Sequence, residues 1–393
     1  MKRKMAIVLA AILFVDVIAL GVIYFSRHSG QRPDISADAQ PLAEASTTQM
    51  QELISTVSLL AVGDNLIHDT VYEQAAERAS SGYDFSYCYE KVADRVAAAD
   101  IAILNQETII STEHEVSSYP MFNSPPEVGE EMIRIGFDVF NICTNHSLDC
   151  GEKGLISCIN WWKSKGVITT GAFLNQVDYA KIPTNTVNGI TFAYLGFTEM
   201  TNGLSLPSDS EVILCTSEDE AELQRRVMAA KDIADVVIVN AHWGIEYTHE
   251  PTDEQRILAK KLAAWGADVI VGNHPHVIQP VEFIENDNGT RTLVAYSLGN
   301  FISAQNRGAR MLGGMLNFDI SKNNANGDIT IENVKFHGTV NHYGYNYSNI
   351  RIYMLEDYTE DLASVHGVKS QTPSFSLQYL NDIVNEVIDK QFL

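Results

Sequence analysis

The sequence predicts an α/β fold with buried sheets, carried behind one N-terminal transmembrane helix. Three observations predict it. Short apolar runs rich in β-branched residues recur along the chain and end in polar residues. Helical stretches lie between many of these runs, the alternation of an α/β protein. A single long apolar run stands near the N-terminus.

The long run is Met5–Phe25, 21 residues with one charge, Asp16. That length spans a bilayer. Its apolar side chains contribute about −4 to −8 kcal/mol to insertion, against about +2.5 to +3.5 kcal/mol for a central Asp. Lys2, Arg3 and Lys4 precede the run, which keeps the N-terminus cytoplasmic and places residues from 28 onward outside. Ser26-Arg27-His28 follow it where a signal peptide has small residues, so a single-pass anchor in the cell membrane is expected. Asp16 either pairs with a partner helix or is simply tolerated. Residues 1–27 are thus tip and anchor. Residues 28–52, rich in Ser, Ala, Gln, Thr and Pro, are a linker. Residues 53–393 form one extracytoplasmic domain.

The composition is globular, with 45% apolar and 20% charged residues. The net charge is −23; residues 1–30 carry +3, which leaves −26 on the remainder. Such acidity excludes nucleic acid as a partner, since phosphate binding needs clustered Lys and Arg. It either keeps an extracellular domain soluble or leaves an anionic substrate in need of local positive charge, which metal ions supply. The five cysteines form no CxxC pair. Neither a zinc ribbon nor a disulfide framework is expected, although one or two bridges are open.

Five apolar runs read as buried strands. Val57–Val62 runs into Gly63-Asp64, and Ile101–Leu104 into Asn105-Gln106-Glu107. Val139–Cys143 runs into Thr144-Asn145-His146, Val236–Val239 into Asn240-Ala241-His242, and Val269–Val271 into Gly272-Asn273-His274-Pro275-His276. Helices are expected over 69–80, 88–99, 126–135, 151–165, 217–233 and 252–265, the last opening on a Thr252/Gln255 capping box. After residue 276 the texture changes. Asn286-Asp287-Asn288-Gly289 marks a hairpin between 281–285 and 291–296. Further strands are expected at 312–320, 328–338 and 349–355, and an amphipathic closing helix at 375–391.

Sites in such folds form where strand C-termini open into loops. Asp64, Glu107, Asn145, His242, His274 and His276 all occupy that place in their units. Each alone is ordinary: a cap, a turn former, a structural histidine. Together they describe a metal site. Carboxylate, amide oxygen and imidazole suit Mn, Fe or Zn, and a bridging carboxylate can hold two divalent ions. His146, next to Asn145, sits at the site without needing to bind metal, and can protonate a leaving oxygen or stabilise charge.

Gly63-Asp64, Asn105-x-Glu107, Asn145-His146, His242-Trp243-Gly244-x-Glu246-Tyr247, His274-Pro275-His276 and Tyr296-Ser297-Leu298-Gly299-Asn300-Phe301 resemble, in order and rough spacing, the capsule-synthesis protein A family. This is the CapA or PgsA type of poly-gamma-glutamate biosynthesis protein. The resemblance covers about residues 57–320. It implies a four-layer αββα sandwich of the calcineurin-like metallophosphoesterase kind. It also implies that Asp64 and His276 hold a first metal and that Glu107 bridges. Asn145, His242 and His274 would hold a second metal, with His146 catalytic. Leu66 departs from the Asp-x-His of phosphoesterases and leaves the first metal short of a ligand; His68 is offset. Thr144 and Asn273 depart from the family in the surroundings of the ligands.

Other residues stay open at this point. Glu246 orients a histidine, touches substrate, or is a surface carboxylate. Trp243 and Tyr247 line a groove or pack beneath the loop. Asp149 shapes the loop before Gly151, and Asn300 supports a ligand or makes a turn. Two functions from different classes follow. One is a membrane-anchored metallohydrolase acting on a phosphoester or anionic polymer. The other is a non-enzymatic, polymer-binding component of a membrane polymer synthase complex. A secreted nucleotidase lacks any base-stacking motif in the sequence.

Overall fold

A computed structural model describes residues 53–393 except Asn288. The expected anchor and linker therefore lie outside the described residues. Among the described residues, no helix is long and apolar enough to cross a membrane.

The first four strands are β1 (Ile54–Asn65), β2 (Ile101–Asn105), β3 (Val139–Asn141) and β4 (Ile168–Thr170). Then come β5 (Ala172–Phe173), β6 (Thr184–Val187), β7 (Ile190–Thr198), β8 (Ile213–Leu214), β9 (Val236–His242) and β10 (Val269–Asn273). The C-terminal part adds β11 (Val281–Glu285), β12 (Arg291–Ala295), β13 (Asn300–Ile302), β14 (Leu312–Asn323), β15 (Ile329–His342) and β16 (Arg351–Met354). The longer helices are α1 (Asp69–Arg78), α2 (Pro126–Ile135), α3 (Gly151–Lys165), α4 (Glu220–Lys231), α5 (Asp253–Trp265) and α6 (Leu377–Val387).

One sheet runs β16-β15-β14-β1-β2-β3-β4, with β13 also paired to β1; the other runs β11-β12-β10-β9-β7-β6. β1 to β4 are parallel, as are β12, β10, β9 and β7. The later strands β14, β15 and β16 add antiparallel. The fold is thus a mixed α/β fold, as expected.

Strand alternation sets the layers, because successive side chains point to opposite faces. In the second sheet Ala193, Leu195, Val237, Val239 and Ile270 join Leu223 and Val227 of α4 and Leu262 of α5 in one apolar cluster. Their neighbours Phe192, Tyr194, Val236, Ile238 and Val269 join the cluster built on β1, β2 and β14. Helices α2 and α3 bury Met132, Leu155 and Trp162 in that larger cluster. Trp162 meets Phe140 of β3 at 4.3 Å between ring centres. Helices α4 and α5 thus cover one face of the second sheet, and its other face packs into the cluster of the first sheet.

The expected helix over 88–99 is instead two short pieces, Ser86–Tyr89 and Ala93–Ala97. The break lets the Tyr89 hydroxyl reach Asn65 Oδ1 at 2.7 Å while Val92 and Val96 still enter the core. Strand β7 lies between β9 and the edge strand β6 and carries no ligand-type residue at its end. The five cysteines are free thiols.

Candidate metal centre

Register brings the strand ends together. Asp64 stands opposite Asn105, and Asn105 opposite Asn141. His242 stands opposite both Asn273 and Thr198. All these positions end parallel strands on the same edge, so their side chains converge where the two sheets meet.

Asp64 is fully buried and spends its oxygens on protein donors. Oδ1 accepts from Asn105 Nδ2 at 2.8 Å, and Oδ2 lies 3.0 Å from His276 Nδ1. The His274 amide donates to the same carboxylate at 3.3 Å. This arrangement holds the His276 ring with Nε2 turned toward Glu107, whose Oε1 is 3.5 Å away. His274 and His276 adopt φ of +101° and +59°, a left-handed backbone that non-glycine residues adopt at a cost of about 1–3 kcal/mol each. The loop tolerates it because Asp64 holds both residues and Asn300 donates to the His276 carbonyl.

Glu107 is the exceptional group. It is buried, and neither carboxylate oxygen has a hydrogen-bond partner. Burial, then the charges of Asp64, Glu246 and Asp149, push its pKa well above the usual carboxylate range. His274 Nδ1 is likewise buried without a partner. Burial and the nearby His276 hold the His274 imidazole down to about 4, so it is neutral and a free ligand at neutral pH. Ligand atoms of Glu107, His274 and His276 lie within 4.8 Å of one another. Orphaned carboxylate oxygens and a neutral imidazole are what a divalent cation requires. The residues present fit such an ion.

His242 extends the cluster. Its ring centre lies 4.9 Å from that of His274, and its Nε2 lies 2.9 Å from Asn145 Oδ1. Nδ1 is 3.3 Å from the Asn105 amide. Asn105 in turn accepts from Asn141, which accepts from Thr170. A buried amide chain thus orients Asp64 and His242 from below. Burial first, then His274, keep His242 neutral, with a pKa well below the usual value.

His146 lies on the wall of a cleft of about 510 Å³ above the cluster, with His276, Glu246 and Arg310. Its Nδ1 is 2.7 Å from Asp149 Oδ2, and Phe122 packs edge-on at 4.7 Å. Asp149 therefore does more than shape the loop: it fixes the imidazole and leaves Nε2 for the cleft. Leu66 is buried and its amide bonds to Ile302. His68 caps the start of α1 and accepts from the Ala304 amide at 3.2 Å through Nδ1.

The structure brings all seven expected residues to one place. Glu246 reaches it as well, with Oε1 4.0 Å from His276 Nε2. Trp243 is buried and donates to the Tyr296 carbonyl at 2.9 Å, so it packs. The tract Tyr296–Phe301 backs the site. A Cβ on Gly63 would lie 1.8 Å from the Gly299 carbonyl oxygen, and one on Gly272 2.0 Å from that of Tyr296. Glycine at both positions lets the two backbones touch. Asn300 Nδ2 bridges the carbonyls of His276 and Arg310 at 3.3 and 3.1 Å. Sequence reasoning passed over Asn105 as a hydrogen-bonding support and Arg310 altogether. Asn105 closes the apolar run Ile101–Leu104, which is the local signal for the first; nothing local marks the second.

Residues 58–305 match the family described as bacterial capsule synthesis protein PGA_cap. The chain is 37% identical over 182 residues to the PGA biosynthesis protein CapA of Bacillus subtilis (strain 168), covering 44% of each chain. It is 37% identical over 175 residues to the capsule biosynthesis protein CapA of Bacillus anthracis, covering 43% of this chain and 41% of that one. The match thus spans less than half the length of these relatives. Among solved structures, NAD nucleotidase from Haemophilus influenzae aligns over 86% of this chain and 57% of its own, with 14% identity and a TM-score of 0.44. The calcineurin-like phosphoesterase YfkN from Bacillus subtilis aligns over 84% and 99%, with 16% identity and a TM-score of 0.41. On the family match, which takes in every strand-end residue of the cluster from Asp64 to His276, the chain belongs to the bacterial capsule synthesis protein PGA_cap family.

Proposed function

We propose that this protein is a metal-dependent hydrolase that acts in the biosynthesis or export of an anionic capsular polymer such as poly-gamma-glutamate. The observation that carries the reading is Glu107, buried with both oxygens unpartnered beside His274 and His276. Glu107, His274 and His276 would hold a divalent ion, with Asp64, Asn145 and His242 around them to complete that site or a second one. A bound ion supplies positive charge that polarises a phosphoryl or carbonyl oxygen. Asp64 orients His276, and Asn145 and Asn105 orient His242. Asp149 holds His146 so that Nε2 exchanges a proton with a leaving oxygen in the cleft. The apolar run Met5–Phe25 supports a single-pass anchor with this domain outside the cytoplasm.

One test uses the full chain, purified in detergent, with metal content by elemental analysis and hydrolysis of bis(p-nitrophenyl) phosphate. The His274→Ala/His276→Ala variant is expected to lose metal and activity together. His146→Ala is expected to keep its metal and lose about 10²- to 10⁴-fold in kcat. Activity that persists in the metal-free double variant would overturn the reading.

A second reading has one specific observation behind it. Leu66, where phosphoesterases carry a ligand histidine, is buried against Ile302 and contributes no donor. In that reading the protein is a non-enzymatic, polymer-binding component of a membrane synthase complex, and the ion grips polymer carboxylates. Full metal content without hydrolysis, together with co-purifying membrane partners, would favour it.

A further inference from the structure

The cleft has an acidic floor and one cation on its wall. Asp64 and Glu107 lie beneath the histidines, and Asp69 and Glu246 line the sides. Among the described residues that line the cleft, Arg310 is the one Lys or Arg.

Arg310 sits in the turn Gly308–Met311 between β13 and β14. Its guanidinium carbon lies 3.3 Å from the centre of the Tyr247 ring. Stacking of this kind covers the face of the guanidinium and leaves its in-plane N–H donors at the edge. Other arginines here are paired: Arg351 with Glu90 at 2.9 Å, Arg225 with Glu222 at 2.7 Å. Among the described residues, the Arg310 guanidinium has neither an ion pair nor a hydrogen bond, only the aromatic face. Glu246 is turned toward the Tyr247 hydroxyl and His276 and does not reach it within ion-pair distance.

Two links tie Arg310 to the metal ligands. Asn300 joins the carbonyls of Arg310 and His276. Tyr247, at a φ of +70°, donates its amide to the Pro275 carbonyl at 2.7 Å, between the two ligand histidines. The Tyr247 and His276 ring centres are 5.9 Å apart. So the guanidinium stands one aromatic ring away from a ligand imidazole, at a fixed distance. Tyr119, which also lines the cleft, is 76% exposed.

We propose that Arg310 is the anion-binding residue of this cleft: it grips a carboxylate or phosphate one step along the substrate from the bond held at Glu107, His274 and His276. The substrate class is then a molecule with an anionic group beside the bond that reacts. The inference rests on the reading of this cleft as the substrate site. The planar fork of arginine matches either anion in a bidentate pair. Among the described residues that line the cleft, no second Lys or Arg shares that task.

Calorimetry with the purified, Mn-loaded full chain tests it. The probes are a short γ-linked glutamate oligomer and a short glycerol phosphate oligomer, with γ-linked glutamine as neutral control. Arg310→Gln is expected to weaken binding of the acidic oligomer by about 10- to 100-fold. Arg310→Lys recovers part of the loss, since charge returns without the fork. Whichever acidic oligomer responds identifies carboxylate or phosphate as the anion. Metal content equal to wild type in both variants shows that the cleft is intact. Equal affinity of wild type and Arg310→Gln for both acidic oligomers overturns the proposal, as does failure of wild type to bind either. Wild-type hydrolysis of bis(p-nitrophenyl) phosphate, run in parallel, separates this from the hydrolase reading. Binding that depends on Arg310 without hydrolysis removes the hydrolase and keeps the anion site; hydrolysis without that dependence does the reverse.

Discussion

A buried carboxylate with neither oxygen hydrogen-bonded costs several kcal/mol unless it is protonated or meets a cation. At Glu107 burial and three neighbouring carboxylates all act in the same direction. The side chain is therefore a liability in the metal-free protein and an asset in the loaded one. Glu107→Gln keeps the shape and removes the charge. Its metal-free form should melt at or above the temperature of metal-free wild type, while added Mn²⁺ should raise wild type far more than the variant. Thermal denaturation with and without chelator checks this, and a variant that Mn²⁺ stabilises as strongly as wild type would count against Glu107 as a ligand. The residue types at the site were readable in sequence because each ligand follows an apolar run. The division of labour among them was not. Asp64 is occupied by Asn105, His274 and His276, and Asp149 by His146. Such pairings depend on which strand ends meet, and spacing along the chain does not encode that.

The elements show the same partial legibility. Helix α2 follows Pro125 and stops at Gly136, whose φ of +112° ends it in the left-handed region. Helix α5 opens on the expected capping box. Both signals are local, and both boundaries came out of the sequence almost residue by residue. Strand β7 did not, because it ends in no ligand-type residue: it closes on Thr198, which turns its hydroxyl to the Met200 carbonyl. The joint between β1 and β13 was equally hidden. Asp64 donates its amide to Gly299 at 2.8 Å, and Gly63 has no room for a methyl group against the same carbonyl. Gly63→Ala should therefore push β1 off β13, destabilise the fold by about 1–3 kcal/mol or more, and displace Asp64. Urea denaturation reads the first effect and metal content the second. A variant with unchanged midpoint and full metal would show that the strands can part without harm.

Across the whole molecule, titration outside the site also shapes stability. His342 and His366 are buried together, with ring centres 4.8 Å apart. Burial, then Arg351, holds His342 down to about 4; burial, then His342, holds His366 down to about 3. Unfolded histidines titrate near 6.5, so the unfolded chain binds more protons below that pH. Their stabilising contribution is complete above about 6.5 and is lost as pH falls toward the folded values, at up to about 1.4 kcal/mol per pH unit for each. Urea midpoints should drop between pH 6.5 and 5 while both imidazole NMR signals stay in the neutral position; a midpoint near 6.5 for either signal would refute the linkage. The sheet order carries a last consequence. Strand β1 finds its neighbours in β2, β13 and β14, and two of these lie more than 230 residues further along the chain. Contacts that distant are slow to form and need nearly complete synthesis. A nascent chain that ends before β10 would hold Asp64 on a strand without β13 or β14 beside it, and Glu107 without His274 and His276. On the proposed reading, metal capture then waits until His274 and His276 have been made, and the ion would act as a late seal on folding instead of its seed.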